Sequence, residues 1–388
     1  MNILFLAPQP FYQNRGTPIA VKLMLESLSE QGHFIRVLTY PEGDDVVIPN
    51  CQIIRLPLVS WAKNVGPGAS WKKVVYDLLM FFKARKLVRH YRFDIIHAVE
   101  EAAWIGRYLN KKNDIRYVYD MDSSMAQQIV EKYGWLTPIL PLLVYLEKLM
   151  IRDSVGVIAV CRFIEDIVRC YDPKKLVQRL EDISLLPSGG KIQIDTSVKL
   201  PVCGRILMYV GNLEAYQGID LLLRSFSIAL NHYPDAMLVI IGGTSLDIDH
   251  YRRYSRQLGI SEQTLFMGPR PVSDLSVYLA QADILVSPRT KGFNTPMKIY
   301  SYLDSGKAVL ATNLPTHTQA LDEDIACLSD PDPESMAKGM VHLLQDHRYR
   351  RRLGAAARKR VQQEYSLNAY QRKLGRFYQT LETAGRVH

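Results

Sequence analysis

Residues 287–312 read SPRTKGFNTPMKIYSYLDSGKAVLAT, and this stretch decides the fold that the sequence predicts. An apolar run that ends at Pro288 predicts a strand, which a polar loop connects to a helix. Thr295 followed by Pro296 predicts the helix start, with Thr295 as the N-cap and Pro296 in the first helical position. Gly306 predicts the helix end, before another apolar strand. This strand–loop–helix–strand order is the repeating unit of a parallel sheet.

The same loop carries polar side chains where a parallel sheet presents its carboxyl edge. Arg289 and Lys291 supply two cations, and Asn294 and Thr295 supply hydrogen-bonding groups. Backbone amides and the dipole of the following helix add to them. Together with Lys298 in the first turn of the helix, this combination favours a diphosphate ligand over an ordinary connecting loop.

Short apolar runs alternate with helical patterns on both sides of this stretch. Because the strands are apolar throughout, they predict parallel sheets with helices on both faces. The expected fold class is therefore α/β, with two doubly wound, Rossmann-like domains. The strands predicted in the first half are 2–7, 35–40, 94–97, 116–119 and 155–160. Those predicted in the second half are 205–210, 236–241, 264–267, 283–287 and 308–311.

Length and turn-forming residues divide the chain into domains. Its 388 residues are too many for one ordinary core. We expect an N-terminal domain at 1–187, a linker at 188–203, a C-terminal domain at 204–364 and a last helix at 365–388. A cleft between two such domains is a common place for a small-molecule site.

Composition excludes several classes of protein. Hydrophobic residues make up 47% of the chain and charged residues 22%, which is typical of a globular protein. The five cysteines are scattered, so neither a disulfide framework nor a zinc site is expected, and a reducing cytosol suits them. The chain starts without the basic region of a signal peptide. Prolines and charges interrupt the apolar stretch 136–151, so no membrane-spanning segment is expected.

The net charge of +9 is concentrated in one segment. Residues 61–92 hold eight Lys and Arg against one acid, Asp77, which gives +7 there. Apolar residues within 71–91 have helical spacing, so we expect that face to pack on the N-terminal sheet. The remaining basic face, with Trp61 and Trp71 nearby, suits an anionic membrane surface. Its basic side chains are Lys72, Lys73, Lys83, Lys86 and Arg89. Nucleic acid is a poorer fit, because no recognised binding motif accompanies the charge.

Two glycine turns follow predicted strands. Gly16 precedes the first helix and Gly211 opens the second domain, and both would let backbone amides approach an anion. For Gly16 an ordinary helix start, with Thr17 as N-cap and Pro18 after it, explains the sequence equally well. A plain strand–helix loop would also explain Gly211.

Taken in order, these pieces resemble glycosyltransferase family 4, the retaining transferases with the GT-B fold, over nearly the whole chain. The matching elements are the Gly16 loop, Asp94-Ile-Ile-His97, the Gly211 turn, Ala282–Pro288 and Thr295–Thr312. The resemblance implies two Rossmann-like domains facing across a cleft, with the C-terminal helix crossing back to the N-terminal domain. It also implies sugar transfer from a nucleotide diphosphate sugar with retention, without an obligatory metal and without a cofactor.

The chain departs from the family pattern in its charges. Where the family turn carries an Arg and a Lys that neutralise the donor diphosphate, this chain has Asn212 and Gln217. The Glu that holds the ribose in the family falls on Ser301. We expect Asn294 or Ser301 to hold the ribose instead. The cations expected to replace the missing pair belong to the 287–312 stretch: Arg289, Lys291 and Lys298.

The N-terminal half offers two candidates for chemistry. A family histidine falls on Asp122, which would accept a hydrogen bond from a sugar or acceptor hydroxyl or act as a base. An N-cap of helix 124–132, for which Ser123 is an equal candidate, explains Asp122 as well. His97 ends a strand, where cleft residues lie, although a buried, hydrogen-bonded histidine is the commoner case. Leaving-group stabilisation is expected from Arg289 and Lys298.

The function expected from all this is a retaining hexosyltransferase with a glycan or lipid-linked acceptor, acting in envelope glycan or polysaccharide synthesis. Such an enzyme would be cytoplasmic and peripheral at the inner face of the membrane. One alternative is a catalytically silent GT-B subunit that binds a glycan or a partner. A second is a sugar-nucleotide epimerase, for which His97 and Asp122 would be a thin set of catalytic groups.

Overall fold

The computed structural model describes residues 1–13, 16–63, 65–66, 70–187, 200–201 and 204–385. The chain divides into two compact units. Unit 1 comprises Met1–Glu181 and the chain from Tyr370 onward, and unit 2 comprises Asp182–Ala369. The predicted linker 188–203 lies almost entirely outside the described residues.

Unit 1 contains a sheet of seven described strands, ordered β3-β2-β1-β4-β5-β6-β7, in which all neighbouring pairs are parallel. The strands are β1 (Asn2–Pro10), β2 (Phe34–Tyr40), β3 (Cys51–Arg55), β4 (Ile95–Val99), β5 (Tyr117–Met121), β6 (Gly156–Ala159) and β7 (Val177–Arg179). The helices between them are α1 (Gly16–Glu30), α2 (Trp71–His90), α3 (Ala103–Asn113), α4 (Met125–Lys132), α5 (Leu140–Asp153) and α6 (Arg162–Tyr171).

Unit 2 contains a second parallel sheet of six described strands, ordered β10-β9-β8-β11-β12-β13. The strands are β8 (Arg205–Val210), β9 (Ala236–Ile241), β10 (Thr264–Gly268), β11 (Ile284–Ser287), β12 (Ala308–Thr312) and β13 (Cys327–Ser329). The helices are α7 (Ile219–Leu230), α8 (Ser245–Gln257), α9 (Leu275–Gln281), α10 (Lys298–Asp304), α11 (Pro315–Thr318), α12 (Pro333–Gln345) and α13 (His347–Glu364). A last helix, α14 (Leu367–Gly385), follows.

The predicted fold class is confirmed, since both units are doubly wound parallel sheets covered by helices. The central strands are buried from end to end, which is why their sequences are apolar throughout. Sequence analysis missed three strands, β3, β7 and β13. All three are short edge strands with largely half-buried side chains, so they lack the continuous apolar run that marks a central strand.

His97 on β4 fastens α14 to the sheet of unit 1. Its side chain is completely buried, with Nε2 3.1 Å from Oδ2 of Asp120 and Nδ1 2.7 Å from the Tyr378 hydroxyl. Because the carboxylate can only accept, Nε2–H donates to Asp120 and Nδ1 accepts from Tyr378. The imidazole also stacks on Phe5. His97 is therefore the buried, hydrogen-bonded histidine that was expected as the commoner case, and its side chain has no exposed surface for a ligand.

Helix α2 turns a different face to the core than expected. The side chains that pack inward are spaced by three or four residues and comprise Tyr76, Met80, Ala84 and Leu87. A second apolar face is exposed and comprises Trp71, Val74, Leu78 and Phe82. The helix carries two apolar faces, and the one from Tyr76 to Leu87 packs against the core. Lys73, expected on the basic face, forms an ion pair with Glu101.

Helix α5 and the 3₁₀ turn before it, Gly134–Ile139, form a largely exposed apolar segment. By length and composition alone Gly134–Asp153 could cross a membrane, although this is weak evidence, and 17% of its most apolar window is buried. The expectation that this stretch is too interrupted to reach such a length is therefore wrong. Its exposed side chains include Trp135, Leu142 and Tyr145.

The link between His97 and α14 leads to a first prediction. Tyr378→Phe removes the hydroxyl that donates to a fully buried imidazole nitrogen, so we expect a loss of about 1–3 kcal/mol of stability. Thermal unfolding measures this as a lower melting temperature. Tyr145→Phe, which removes the hydroxyl of an exposed tyrosine, should change stability by less than about 0.5 kcal/mol. Equal effects of the two variants would contradict the assignment of His97 to the fold.

Candidate functional site

The turn after β8 lies at the carboxyl edge of the unit 2 sheet. Gly211 has a φ of 152°, and its amide donates a hydrogen bond to the carbonyl of Ile241 at 2.9 Å. A Cβ at this position would lie 2.6 Å from Nζ of Lys298 and 3.0 Å from the Tyr209 hydroxyl oxygen. The positive φ favours glycine at this position, and the end of the Lys298 side chain lies in the space beside the turn.

Lys298 extends from the start of α10 to this turn. Its Nζ donates to Oε1 of Gln217 at 3.2 Å and lies 3.9 Å from the centre of the Tyr209 ring. Burial lowers the pKa of the ammonium group well below its usual value, and the charge of Arg289 lowers it further. Within the described part of unit 2, the ion pairs all involve other cations. The turn thus carries a partly buried ammonium group without a carboxylate beside it in the described part of unit 2.

Arg289 is held by the loop after β11. Its Nε donates to the carbonyl of Lys291 at 2.8 Å, and its Nη1 donates to the carbonyl of Asn294 at 3.0 Å. The guanidinium carbon lies 5.1 Å from the centre of the Tyr216 ring. Gly292 has a φ of 109°, and a Cβ there would lie 2.5 Å from Nη2. The loop therefore wraps closely around the guanidinium group and fixes its direction.

Lys291 and Asn294 contribute through their backbone. The carbonyl of Asn294 also accepts a hydrogen bond from the Thr316 hydroxyl at 2.6 Å. Lys291 is exposed, so its ammonium group is not brought to the turn as that of Lys298 is. Of the cations predicted to lie near a diphosphate, the structure thus brings Arg289 and Lys298 close enough to influence each other.

Thr295 does not cap a helix. The helix starts at Lys298 rather than at Pro296, so both the predicted N-cap and the predicted first position are wrong. The reason is that the backbone from 289 to 297 folds around Arg289 before it becomes helical. The hydroxyl of Thr295 is buried, and its oxygen has no hydrogen-bond partner. An oxygen-rich ligand at this edge would supply the partner that the hydroxyl lacks.

Two of the residues predicted to bind the donor differ in burial: Ser301 lies in the core, whereas Asn212 is exposed. Ser301 is almost completely buried, and its Oγ accepts a hydrogen bond from the amide of Leu185 at 3.0 Å. Its place in the core offers no surface to a ribose, so the predicted role is wrong. Asn212 is exposed, and its side chain lies 3.5 Å from the Glu214 carboxylate. Its backbone carbonyl accepts from the Tyr209 hydroxyl at 2.6 Å, which shapes the turn.

His317 was not predicted as a site residue. Its imidazole holds the ends of β11 and β12 together through hydrogen bonds to Ser287 and Thr312. Its Nδ1 lies 3.0 Å from the carbonyl of Thr312, and its Nε2 lies 2.9 Å from Oγ of Ser287. Since the carbonyl can only accept, Nδ1–H donates to it and Nε2 accepts from Ser287. Burial lowers the pKa of the imidazole to about 3, helped by the charges of Arg289 and Lys298. The sequence signal that could have identified His317 is its position shortly after the end of a predicted strand.

In unit 1, Asp122 follows β5 and is half-buried. Helix α4 starts at Met125, and its N-cap is Ser124, whose Oγ accepts from the amide of Gln127 at 3.4 Å. The proposed capping roles of Asp122 and Ser123 are therefore wrong. The Ser123 hydroxyl donates to the carboxylate of Glu100, at 3.0 and 2.9 Å from its two oxygens.

Gly16 is the first residue of α1, and a Cβ there would meet nothing within 4 Å. Helix α1 begins one residue before the predicted N-cap Thr17, so Thr17 and Pro18 lie in its first turn. The exposed start of this 15-residue helix leaves room for an anion, although Gly16 itself is not required by the local space.

The carboxyl edge of unit 2 can hold a diphosphate. It offers the ammonium group of Lys298, which has no carboxylate beside it in the described part of unit 2, the guanidinium group of Arg289, and the buried hydroxyl of Thr295, which has no hydrogen-bond partner. Two doubly wound α/β units in one chain are the architecture of the GT-B fold. Residues 15–180 match the family described as Glycosyltransferase Family 4, and residues 192–360 match Glycosyl transferases group 1. The chain belongs to glycosyltransferase family 4, so by family and fold it is a glycosyltransferase.

Individual relatives are distant but cover the chain. A phosphatidyl-myo-inositol mannosyltransferase of Mycobacterium tuberculosis is 22% identical over 99% of this chain and 98% of that protein. The structure is similar to sucrose-phosphate synthase from Thermosynechococcus elongatus, with a TM-score of 0.77 at 20% identity and 99% coverage of both chains. It is also similar to Anabaena Alr3699/HepE in complex with UDP and glucose, with a TM-score of 0.74 at 14% identity, covering 98% of this chain and 100% of that one. Other curated relatives are matched over about two thirds of their length.

The buried neutral state of His317 predicts a specific pH dependence. Its pKa of about 3 in the folded protein lies below the ordinary value of 6.5, so between these values the unfolded chain binds more protons and stability falls as pH falls. We expect this to cost the wild type about 3 kcal/mol at pH 4. The His317→Gln variant has no imidazole to titrate here. The difference in unfolding free energy between this variant and the wild type should therefore be smaller at pH 4 than at pH 7.

Urea unfolding at both pH values measures the difference. His232→Gln, at an exposed histidine of the same unit, is the matched control and should follow the wild type at both pH values. A deficit of His317→Gln that stays constant with pH would contradict the assignment of a neutral, desolvated imidazole.

Proposed function

We propose that the protein is a retaining, metal-independent hexosyltransferase. It moves a hexose from a nucleotide diphosphate sugar to a glycan or lipid-linked acceptor. Unit 2 binds the donor through its cationic edge, and unit 1 binds the acceptor. The observation that carries the proposal is Lys298, a partly buried ammonium group at a glycine turn with no carboxylate opposite it in the described part of unit 2.

The position of Lys298 supports compensation for the two cations missing at Asn212 and Gln217. Its Nζ reaches the side chain of Gln217 itself, so a positive charge returns to the turn from another element. Arg289 is close enough to lower the pKa of Lys298, so the two charges repel each other. A bound diphosphate would relieve this repulsion, which favours binding of an anion over the empty site.

The chemistry proposed follows from these charges. The bond between the anomeric carbon and the β-phosphate oxygen breaks, and a bond between that carbon and an acceptor oxygen forms. Lys298 and Arg289 stabilise the negative charge that develops on the leaving diphosphate. Because protein cations provide this stabilisation, we propose that no metal or cofactor is needed. Asp122 accepts a hydrogen bond from a sugar or acceptor hydroxyl, or takes its proton.

The relatives support the choice of substrates. Anabaena Alr3699/HepE was crystallised with UDP and glucose, which makes a uridine diphosphate sugar the first donor to test. The name of the mycobacterial relative specifies a phosphatidyl-myo-inositol acceptor, which supports a lipid-linked acceptor here. We place the protein in the cytoplasm, at the inner surface of the membrane.

A second candidate function is a GT-B subunit without catalytic activity. It is favoured by Asn212 and Ser301, where the family resemblance calls for a cation and a ribose-binding acid. Asn212 is exposed and uncharged, and Ser301 is buried. Such a subunit would bind no nucleotide.

Lys298→Met separates these functions. Removing a desolvated ammonium group should leave the melting temperature of the ligand-free protein unchanged or raise it, because the folded state disfavours that charge. The same change should weaken nucleotide binding by about 10- to 150-fold, the value of one charge-assisted hydrogen bond. Thermal shifts with UDP, GDP, ADP and dTDP measure both effects.

Lys307→Met is the matched control, since Lys307 is a partly buried lysine of unit 2 that donates to the carbonyl of Ala280. It should keep full nucleotide affinity. No thermal shift of the wild type with any nucleotide would favour the silent subunit. Equal affinity of Lys298→Met and the wild type would remove Lys298 from the site. Activity that survives EDTA supports metal independence.

The exposed face of α2 supports contact with an anionic membrane through segment 61–92. Trp61 stacks on Trp71 with ring centres 5.3 Å apart, and both are more than half exposed. Val74, Leu78 and Phe82 continue this apolar face along the helix. The basic residues Lys86 and Arg89 are exposed on the same helix. An apolar face flanked by cations suits the boundary of an anionic bilayer.

Sedimentation with vesicles tests this contact. We expect the wild type to bind vesicles containing phosphatidylglycerol, to bind phosphatidylcholine vesicles less, and to lose binding as salt increases. Leu78→Asp with Phe82→Asp should reduce binding by about tenfold or more. Leu246→Asp, at an exposed leucine of unit 2, is the control. Equal binding of the double variant and the control would contradict the role of α2.

A further inference from the structure

Two threonines, one at the end of β12 and one on α11, hold the loop after β11 at two points. The Thr312 hydroxyl donates to the backbone carbonyl of Arg289 at 2.6 Å. The Thr316 hydroxyl donates to the backbone carbonyl of Asn294, also at 2.6 Å. Both threonines are completely buried. The backbone of the loop is thus fixed at residues 289 and 294 by donors from a segment outside it.

The carbonyl of Asn294 links Thr316 to the guanidinium group of Arg289. This oxygen accepts a hydrogen bond from the Thr316 hydroxyl at 2.6 Å and another from Nη1 of Arg289 at 3.0 Å. A carbonyl oxygen has two lone pairs, so it accepts both hydrogen bonds at once. The hydroxyl determines where the carbonyl lies, and the carbonyl determines where Nη1 lies. Thr316 therefore acts on the direction of the guanidinium group through one shared oxygen.

The residue after Thr316 fixes α11 in place. Nε2 of His317 accepts from Oγ of Ser287 on β11 at 2.9 Å, and Nδ1 lies 3.0 Å from the carbonyl of Thr312 on β12. Both the imidazole and the Ser287 side chain are completely buried. A buried polar network whose groups are hydrogen-bonded is rigid. The backbone from which the Thr316 hydroxyl reaches the loop is therefore fixed against two strands of the sheet.

We propose that Thr316 is a positioning residue of the donor site. Through the carbonyl of Asn294, its hydroxyl fixes the direction in which Arg289 presents its guanidinium group to the diphosphate of a nucleotide sugar. A guanidinium group binds phosphate oxygens through a rigid, planar set of N–H donors, so its direction decides how many of them reach the ligand. This inference rests on the proposed transferase function, in which Arg289 and Lys298 bind the diphosphate.

Thr316→Val tests this role, because it removes the hydroxyl and keeps a branched side chain. The probes are UDP and uridine, or the diphosphate and nucleoside of another base if that base gives the thermal shift of the wild type. Calorimetric titration measures the diphosphate, and saturation-transfer NMR measures the nucleoside. We expect Thr316→Val to bind UDP about three- to tenfold more weakly. Its affinity for uridine, which has no phosphate for Arg289 to bind, should equal that of the wild type.

A double-mutant cycle with Arg289→Met shows whether Thr316 acts through Arg289. Arg289→Met alone should weaken UDP binding by about 10- to 150-fold, the value of one charge-assisted hydrogen bond. In that background Thr316→Val should cause no further loss, because the group that it positions is absent. Losses that multiply would show that Thr316 acts independently of Arg289, and they would overturn the proposal.

Two control variants separate positioning from a general loss of stability. Thr316→Ser keeps a hydroxyl and should restore UDP binding to nearly the wild-type value. Thr264→Val makes the same change at the first residue of β10, where a buried hydroxyl donates to the carbonyl of Ile260 at 2.8 Å. It should lower the melting temperature about as much as Thr316→Val does, yet leave UDP affinity unchanged. Weaker UDP binding by Thr264→Val to the extent of Thr316→Val, or no recovery in Thr316→Ser, would overturn the proposal.

Nucleotide binding by the wild type distinguishes this inference from the proposed function. If the wild type binds none of the four nucleotides, the transferase function fails, and the role of Thr316 fails with it. If the wild type binds UDP and Thr316→Val binds it equally well, only the role of Thr316 fails. Equal losses of UDP and uridine affinity in Thr316→Val would also overturn this role alone, because they would show a change in the site as a whole.

Discussion

A partly buried ammonium group with no carboxylate beside it in the described part of unit 2 is the constraint around which that unit's edge is built. The Nζ of Lys298 lies in the space beside Gly211 in the turn after β8, and Gln217 gives it an oxygen but no charge. The loop after β11 in turn wraps around Arg289, which lies close enough to oppose this charge. These two neighbouring positive charges lower the stability of the folded state, which is typical of a site that binds an anion.

The two sheets have the same topology, but the charged residues near the carboxyl ends of their strands differ. Both place loops at the carboxyl ends of parallel strands, where ligands bind in doubly wound folds. In unit 2 these loops carry a lysine and an arginine. In unit 1, Glu100 and Glu101 directly follow β4, and Lys73 of helix α2 forms an ion pair with Glu101. Charge at the strand ends, rather than any difference in architecture, distinguishes the roles that we assign to the units.

Sequence patterns predicted the sheets, and they predicted that Arg289 and Lys298 lie near each other, because apolar runs and loop charges are local properties. They failed where the outcome depends on which way a side chain turns. Ser301 lies one turn after Lys298 on a seven-residue helix, yet it faces the core. His97 is buried because a tyrosine 281 residues away covers it. Helix α2 has two apolar faces, and periodicity alone does not say which of them meets the sheet.

Unit 1 draws on both ends of the chain, and this affects how the protein forms during translation. The hydrogen bond between His97 and Tyr378 can form only after 281 more residues have been made. Their synthesis takes about 15–60 s at ordinary rates. Unit 2 is continuous from Asp182 to Ala369, so all of its residues emerge from the ribosome before α14 does. The half of the protein that is synthesised first is therefore the last to be completed, because its sheet gains the packing of α14 only at the end of translation.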